Sequence, residues 1–363
     1  MALLIFLATY VCVAIGGAPR LRVGRTGAAV GGAMLMIATG AIAADDALRA
    51  IDARTIVLLL VMMVLVAPLQ LTGVLTSFVR SMARVVRHPV ALVATIVFAS
   101  GILSAFLIND TICVVFTPIV LELAAIRRHR PAPYLLALAT ASNIGSTATI
   151  IGNPQNILIG SLSRIGFWRF AGALAPVALA GLAIDFAVLY LFFRRDLHRH
   201  AADDLAVPPE PRRHLRGITA GGVIRAVDWN LLLLFAGLFV VVAAAERAGI
   251  DRQLFEALAP LGMRTVAGLS ATTAVLSNVI SNVPAVMLFT RLVPRLPHPE
   301  RAWLTLAMAS TLAGNLTILG SIANLIVIES AKRRGVTVGF GEYARVGIPI
   351  TVATIGFGTW WLL

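Results

Sequence analysis

Polar, helix-breaking residues interrupt two stretches of this chain that are otherwise apolar enough to cross a membrane, and the two stretches echo each other about 170 residues apart. The segment Leu103–Val120 recurs as Leu276–Val293, with a serine, an asparagine and a Phe-Thr pair at matching places. The segment Thr149–Asn156 recurs as Thr317–Asn324. At membrane depth, freed backbone is tolerated only where it is buried in protein or lines a cavity. The matched interruptions therefore indicate the binding site of a secondary transporter.

Composition favours a chain that lies in the membrane. It is 59% hydrophobic and 13% charged with a mean hydropathy of +0.90, and several runs reach the roughly 20 apolar residues that a spanning helix needs. A net charge of +13 would suggest nucleic-acid binding in a soluble protein. Here the arginines lie in short connections between apolar runs, a pattern typical of topology signals. We predict a lipid-embedded protein with no nucleic-acid partner.

The apolar runs predict an all-α polytopic membrane protein with about eight full spans, two re-entrant hairpins and two inverted repeats with broken helices. Arg264 and Arg291 leave too few residues between them for two crossings of ~20 residues each, so that stretch must enter the membrane and return. We predict extra N-terminal spans at 1–50, a first repeat at 51–193 with a hairpin at 89–126 and a broken helix at 133–163, a cytoplasmic linker at 194–228, and a second repeat at 229–363 with a hairpin at 265–290 and a broken helix at 301–331.

The charge distribution predicts the orientation. Each repeat has an odd number of crossings, so the second repeat enters the membrane from the opposite face. The face away from the N-terminus collects about twice as many lysine and arginine residues as the other, and an excess of positive residues marks the cytoplasm. We therefore predict a multi-pass protein of the bacterial inner membrane with both termini outside the cytoplasm.

The interruptions predict four helices that restart inside the membrane. Asparagine is placed as an N-cap before a proline of the first turn at Asn153-Pro154 and at Asn282-Val283-Pro284. The segments Asn109-Asp110-Thr111 and Gly320-Ser321 offer capping side chains without proline. Helix N-termini carry free N–H groups and partial positive charge, which together favour anion binding.

Helix ends at the interruptions predict a cation site as well. Helices that stop at Gly145, Gly152, Gly314 and Gly320 leave free carbonyls, which suit Na⁺ together with serine, threonine and asparagine oxygens. Ser142 is a candidate ligand because it lies beside Asn143, and Asn156 is one because Asn324 occupies the matching position of the second half. No lysine or arginine lies within these segments, so a bound anion would be balanced by a co-bound cation or proton.

Two aspartates fall inside the apolar segments. Asp110 lies at the tip of the first hairpin, where a carboxylate is costly and therefore indicates a proton carrier or cation ligand. The alternative is an N-cap carboxylate that is stabilised by its own helix and never titrates. Asp185 lies nearer the cytoplasmic end of its span. It is either a functional group or a structural partner at the interface or between helices.

These segments resemble the ion transporter superfamily, in particular its SLC13-like and ArsB/NhaD-type anion permeases and their bacterial YbiR-like branch. The resemblance is carried by Phe106–Thr111, Ala141–Ser146, Ile151–Asn156, Ser277–Pro284 and Gly314–Asn324, and it runs from about residue 50 to the end of the chain.

The resemblance implies a homodimer with a fixed scaffold and an elevator-like mobile domain, with small anions or oxyanions as cargo and Na⁺ or H⁺ as the coupling ion. No other cofactor is expected. By motif, one half-site would consist of Ser104, Asn109, Asp110, Ser142, Asn143, Gly152 and Asn153, and the other of Ser277, Asn282, Gly314, Asn315, Thr317 and Asn324. Na⁺ would be held near Asn109, Asp110, Asn143, Asn282 and Asn315. Dicarboxylate carriers of the superfamily have Ser-Asn-Thr triplets, which this chain lacks.

Several functions remain open at this point. The leading hypothesis is ion-coupled transport of a small anion or oxyanion, and the main alternative is Na⁺/H⁺ antiport through Asp110. Arsenite or metalloid efflux is a variant of the first, and an ion channel would share the hairpins. We predict that the chain is not an enzyme, because it has no metal-binding histidine pair and no nucleophile–base arrangement.

Overall fold

The computed structural model describes the 363-residue chain except for residues 16, 19–22, 75–76, 78–80, 82–85, 87, 200–217, 251–252, 254–255 and 257–261. In the first half the helices are α1 (Ala2–Ala14), α2 (Arg25–Ala38), α3 (Ala44–Ala50), α4 (Ala53–Leu71), α5 (Pro89–Phe106), α6 (Asn109–Ile126), α7 (Ala132–Ser146), α8 (Pro154–Ser163) and α9 (Phe167–Arg199). A two-residue antiparallel pair, β1 (Gly17–Ala18) with β2 (Val23–Gly24), connects α1 to α2.

The second half of the chain is also helical. Its helices are α10 (Ala220–Ala226), α11 (Trp229–Arg247), α12 (Val266–Ile280), α13 (Asn282–Phe289), α14 (Pro299–Leu312), α15 (Ile322–Lys332) and α16 (Phe340–Leu362), with short 3₁₀ turns at Val293–Arg295, Ala313–Asn315 and Ile318–Gly320. We call residues 147–153, between α7 and α8, the first break, and residues 313–321, between α14 and α15, the second break. Residues 200–217, about half of the predicted linker, lie outside the described residues.

Four helices of the described part are long and apolar enough to cross a membrane, namely α5, α6, α9 and α11. Helices α3 and α4 count as a fifth span if the pair, bent by 51°, is taken as one. The protein is therefore an all-helical membrane protein with at least four such helices. Helix α9 continues through Arg199, into the segment predicted to be the linker. Near this end of α9, Asp196 forms an ion pair with Arg130 at 2.9 Å, and Arg130 forms a second one with Glu342 at 2.6 Å.

Helices α4 and α11 begin and end in the same way. Each is 19 residues long, and an aspartate caps each first turn: Asp52 accepts from the Thr55 amide at 2.7 Å and Asp228 from the Leu231 amide at 3.0 Å. Each helix is followed by a glycine with positive φ, Gly73 at +73° and Gly249 at +71°. A left-handed residue after a helix closes its last carbonyls, and glycine adopts that conformation without steric cost.

The two hairpins differ in length. Helices α5 and α6 have 18 residues each, about 27 Å at the helical rise, close to the ~30 Å of a hydrocarbon core. Helices α12 and α13 have 15 and 8 residues, about 22 and 12 Å. By length alone, only the helices of the first hairpin could each cross the membrane.

Most helix packing falls within two groups. Helices α1, α2 and α11 pack on one another, with α3 against α11. Helix α4 contacts both α11 and, more extensively, α8, so it lies between the groups. The larger group contains α5 against α7, α9 against α16, α12 against α14, and α15 against α6 and α7. The two breaks lie inside this second group, so it contains nearly all of the polar residues that the sequence marks as candidates.

Candidate functional site

Asn143, in the last turn of α7, lies at the centre of a hydrogen-bonded cluster between the two breaks. Its side-chain oxygen accepts from Asn109 at 3.0 Å and from Ser321 at 2.9 Å. Its side-chain nitrogen donates to the oxygens of Asn315 at 2.8 Å and Asn324 at 3.0 Å. All these side chains are buried. A single amide thus joins the first hairpin, the first broken helix and the second broken helix.

Each break is closed by an asparagine of the helix that follows it. Asn156 donates to the carbonyls of Ser146 at 3.1 Å and Thr149 at 3.0 Å, which are 10 and 7 residues earlier. Asn324 donates to the carbonyls of Gly314 at 2.7 Å and Thr317 at 3.1 Å, again 10 and 7 residues earlier. Buried carbonyls need such partners, and the same solution recurs at both breaks.

The first break is also bonded to the second half and to the first hairpin. Asn153 caps α8 by accepting from the Asn156 amide at 2.9 Å, as its place before Pro154 predicts. Its amide nitrogen donates to the hydroxyl of Thr311 in α14 at 3.2 Å. The carbonyl of Gly152 accepts from the Asn109 backbone N–H at 3.0 Å. Three separate elements therefore meet at the start of α8.

The second break is bonded to the second hairpin. Asn278 in α12 donates to the carbonyl of Ala313 at 2.8 Å and accepts from the Thr317 hydroxyl at 3.3 Å. Asn282, with its amide oriented to suit its neighbours, donates to the carbonyls of Gly320 at 3.2 Å and Ser310 at 3.1 Å. Ser321 caps α15 by accepting from the Ala323 amide at 3.2 Å.

Two of the four predicted caps are wrong. Helix α6 has Ile108 at its N-cap and begins at Asn109, and helix α13 has Ser281 at its N-cap and begins at Asn282. Neither cap residue makes a side-chain hydrogen bond to the helix. Each asparagine is displaced by one position, because its side chain bonds across to another element instead of folding back on its own first turn.

Three buried polar atoms beside the cluster have no hydrogen-bond partner among the described residues. They are the hydroxyls of Ser104 and Ser277, which occupy matching positions of the two hairpins, and the side-chain oxygen of Asn109. Both serines are fully buried. A buried polar atom without a partner costs about 1–3 kcal/mol, and an unpartnered native group calls for an explanation such as an absent ion or water. The donor set here is oxygen, which suits a hard cation.

The remaining candidates lie at different distances from this cluster. Ser142 contacts the thiol of Cys113 at 3.1 Å, Thr111 is buried in the first turn of α6, and Gly145 packs against Gly101 of α5. Pro284 is buried away from Asn143, and its carbonyl accepts from the Tyr10 hydroxyl of α1 at 3.4 Å. Asp110 is partly exposed in the first turn of α6, on a side that does not bond to Asn143.

Sequence reasoning passed over Asn278 and Thr311 as site residues. Asn278 had a signal, since it follows Ser277 directly and is a polar residue in an apolar hairpin. Thr311 had none, because a single threonine inside an apolar helix usually bonds to its own backbone. Its contacts with Asn153 and with Gln155, at 3.2 and 3.3 Å, join positions 158 and 156 residues apart.

Comparison with known proteins gives consistent matches. Residues 10–313 match the model of a family described as CitMHS, citrate transporter. The chain is 30% identical to the silicon efflux transporter LSI3 of Oryza sativa subsp. japonica, over 94% of this chain and 92% of that protein. It is 25% identical to a transporter of Dictyostelium discoideum named arsB, over 93% and 87%, and 29% identical to the inner membrane protein YbiR of Escherichia coli strain K12, over 85% and 87%.

Proposed function

The chain belongs to the CitMHS citrate transporter family, and we propose that it is a secondary active transporter of a small anion or oxyanion, coupled to Na⁺ or H⁺. The resemblance to ArsB-like and YbiR-like permeases is confirmed by these relatives, and the family and its relatives establish a membrane solute transporter. The substrate, the coupling ion and the mechanism belong to the proposal.

The observation that carries the proposal is the cluster around Asn143. Its members come from both broken helices and from the first hairpin, and they are joined by side-chain bonds rather than by helix backbone. Substrates of transporters with broken helices bind where such ends meet, near the middle of the bilayer. With no lysine or arginine in these segments, an anion would be held by amides, hydroxyls and helix N-termini.

Na⁺ fits the oxygens that the cluster leaves unused. Ser104, Ser277 and the Asn109 oxygen are unpartnered, and the carbonyls of the two breaks lie nearby, although Asn156 and Asn324 now occupy four of them. We assign the Na⁺ to Asn109 with these serines, and to Asn143, Asn282 and Asn315 in a state of the cycle in which their present hydrogen bonds are broken. Asp110 would stand beside the site as a carboxylate that balances its charge.

The mechanism we infer is elevator-type alternating access by two inverted repeats. The matched caps of α4 and α11, the matched closure of the two breaks and the two packing groups support it. The group of α1, α2 and α11 would be the scaffold and would supply the homodimer contact. The site-bearing group would move, in a bacterial inner membrane, with both termini outside the cytoplasm.

Uptake into proteoliposomes tests the proposal. The purified protein would be given labelled citrate, arsenite and silicic acid separately, under an imposed Na⁺ gradient, an imposed pH gradient or neither. We expect one of these solutes to accumulate only when a gradient is present. An Asn143→Ala variant should abolish accumulation, because four hydrogen bonds of the cluster depend on that side chain.

The same experiment separates the alternatives. Exchange of Na⁺ for H⁺ with no solute movement would indicate an antiporter that acts through Asp110. Solute flow that is never concentrative and does not saturate would indicate a channel. Accumulation of arsenite in inverted vesicles would place the chain with metalloid efflux permeases, which is a variant of the proposed function.

A further inference from the structure

Asp185 in α9 is a buried carboxylate without a counterion in the part of the chain that the structure describes. Its side chain is fully buried, and neither carboxylate oxygen has a hydrogen-bond partner among the described residues. The ion pair of Arg130 with Asp196 lies three turns further along the same helix. An isolated ionised carboxylate is too costly to keep away from water, and membrane-embedded carboxylates mark ion or proton pathways. The group therefore has to bind something.

Two helices that pack along α9 supply polar side chains near this level of the membrane. The hydroxyl of Thr140 in α7 is adjacent to the Asp185 carboxyl group and donates to the carbonyl of Leu136 at 2.8 Å. The phenol of Tyr343 in α16 is fully buried and likewise has no hydrogen-bond partner among the described residues. Asp185 and Tyr343 are thus two unpartnered polar groups on helices that pack against each other.

The other elements that pack on α9 bring little charge to this place. Helix α5 contains no titratable residue, and α7 presents Tyr134, which is bonded to His129 at 2.9 Å. Helix α14 has Glu300 and Arg301 only at its far end, with Glu300 paired to Arg169. On α16, Glu342 is paired to Arg130 and Arg345 follows two residues after Tyr343. Cys113 of α6 is the thiol in range of Tyr343.

The Asp185 region is connected to the central cluster by direct contacts. The side chain of Asn315 donates to the carbonyl of Thr140 at 3.1 Å, and the same Asn315 accepts from Asn143. Gly347 is packed so closely that a Cβ there would lie 2.3 Å from the carbonyl oxygen of Asn315 and 2.8 Å from the Tyr343 ring. Thr140 therefore contacts both Asp185 and Asn315, and Gly347 lies between the Asn315 carbonyl and the Tyr343 ring.

The surroundings favour a proton over a metal ion. A hard cation is held by several oxygen ligands at once. Helices α7, α9 and α16 are continuous, so nearly all of their carbonyls are used within the helices, unlike the carbonyls of the two breaks; Pro176 and Pro349 each remove one helix donor. The side-chain oxygens that the described part of these helices leaves without a partner are those of Asp185, Tyr343 and Thr351, fewer than a hard cation usually takes. A proton needs no more than the carboxylate and one acceptor for the resulting O–H.

We propose that Asp185, together with Tyr343, is a proton-binding site of the transport cycle that is separate from Asp110. The carboxylate takes up one proton to become a carboxylic acid, whose O–H donates to the oxygen of Tyr343 or Thr140, and it releases that proton in another state of the cycle. The proposal rests on the proposed function, since it names the proton as a coupling ion of that transporter.

Infrared difference spectra between alkaline and acidic pH test proton binding without any substrate. In the purified protein we expect a protonated-carboxyl band that disappears in Asp185→Asn and shifts in frequency in Tyr343→Phe. The matched control is Asp196→Asn, the same change in the same helix at an ion-paired position, which should keep the band. An Asp185→Asn spectrum identical to that of the unmodified protein would overturn the proposal. If Asp185→Asn does not fold, a band that is unchanged both in Tyr343→Phe and in Thr140→Val would overturn it, because one of these two oxygens has to accept the O–H.

Transport measurements then test coupling. With labelled citrate, arsenite and silicic acid as probes in proteoliposomes, the ratio of uptake with a pH gradient to uptake without one should fall to about one in Asp185→Asn and stay above one in Asp196→Asn. A ratio that is unchanged in Asp185→Asn, or one that follows only the Na⁺ gradient in the unmodified protein, would overturn the proposal. If no probe moves, the proposed function fails, and the infrared result still decides whether Asp185 binds a proton.

Discussion

The two breaks follow one plan but are packed differently. Just before the first break, backbone approaches backbone: a Cβ on Gly145, in the last turn of α7, would lie 1.9 Å from the carbonyl oxygen of Gly101. In the second break Gly314, one position further along the repeat, faces side chains, with a Cβ 3.2 Å from that of Ser321. Thr149 is 4% exposed, whereas its counterpart Thr317 is partly exposed. The first break is therefore more tightly packed than the second.

The hairpin tips show the same contrast. The first tip is a two-residue link, Leu107 and Ile108, in ordinary extended backbone. The second tip is the single residue Ser281, with φ +73° and ψ 158°. That region is essentially restricted to glycine and costs of order 1–3 kcal/mol for other residues. The strained backbone at Ser281 and the more exposed break both lie in the second half. We therefore expect that half to change conformation during transport.

The largest effect should come from filling the close approach at the first break. Gly145→Ala forces α7 away from α5, because the atom that it meets is backbone and cannot move alone. We expect a loss at or above the ~3 kcal/mol end of overpacking costs, seen as poor yield and a lower midpoint of thermal unfolding in detergent. Gly314→Ala, the same change at a glycine of the second break that faces side chains, is the control and should cost about 1 kcal/mol. Equal losses would remove the contrast between the breaks.

A smaller effect should follow from removing the asparagine that closes each break. Asn156→Ala removes one donor from each of the carbonyls of Ser146 and Thr149, which keep donors from the Asn153 side chain at 3.3 Å and the Gly152 amide at 3.4 Å. We expect a loss of about 1 kcal/mol for each bond removed. Asn324→Ala removes the donors to Gly314 and Thr317 and also the acceptor of the 3.0 Å bond from Asn143. The midpoint of thermal unfolding should therefore fall further for Asn324→Ala. The reverse order would mean that the first break depends more on its closing asparagine than the second does.

Glycine substitutions at the two hairpin tips should change stability in opposite directions. Ser281→Gly removes the cost of the positive φ and should raise the free energy of unfolding by about 1 kcal/mol. Ile108→Gly, the matched change at the relaxed tip, should lower it, because glycine adds flexibility and the buried isoleucine side chain is lost. Thermal unfolding of both variants in one detergent gives the comparison. Destabilisation by Ser281→Gly would show that no strain is stored there.

The two breaks could be predicted because glycine, proline and asparagine inside apolar runs are local signals. The orientation of the first tip could not. Helix α6 starts one residue earlier than a cap at Asn109 would place it, and one residue turns a side chain by about 100° around a helix with 3.6 residues per turn. Asn109 therefore faces Asn143, and Asp110 does not. The role of Thr311 depends on tertiary contacts that no local pattern encodes.

The smallest effect should come from the two serines of the proposed ion site, one in each half of the chain. Ser104→Ala and Ser277→Ala each remove a buried hydroxyl that has no partner among the described residues, so neither should destabilise the ion-free protein. If both oxygens bind Na⁺, each variant should reduce the rise in unfolding midpoint that NaCl produces over choline chloride, because a ligand stabilises only the state that binds it. A reduction in one variant alone would assign the ion to that half. If both variants respond to NaCl as the unmodified protein does, the serines are not Na⁺ ligands, and the unpartnered hydroxyls must serve the anion or another conformation.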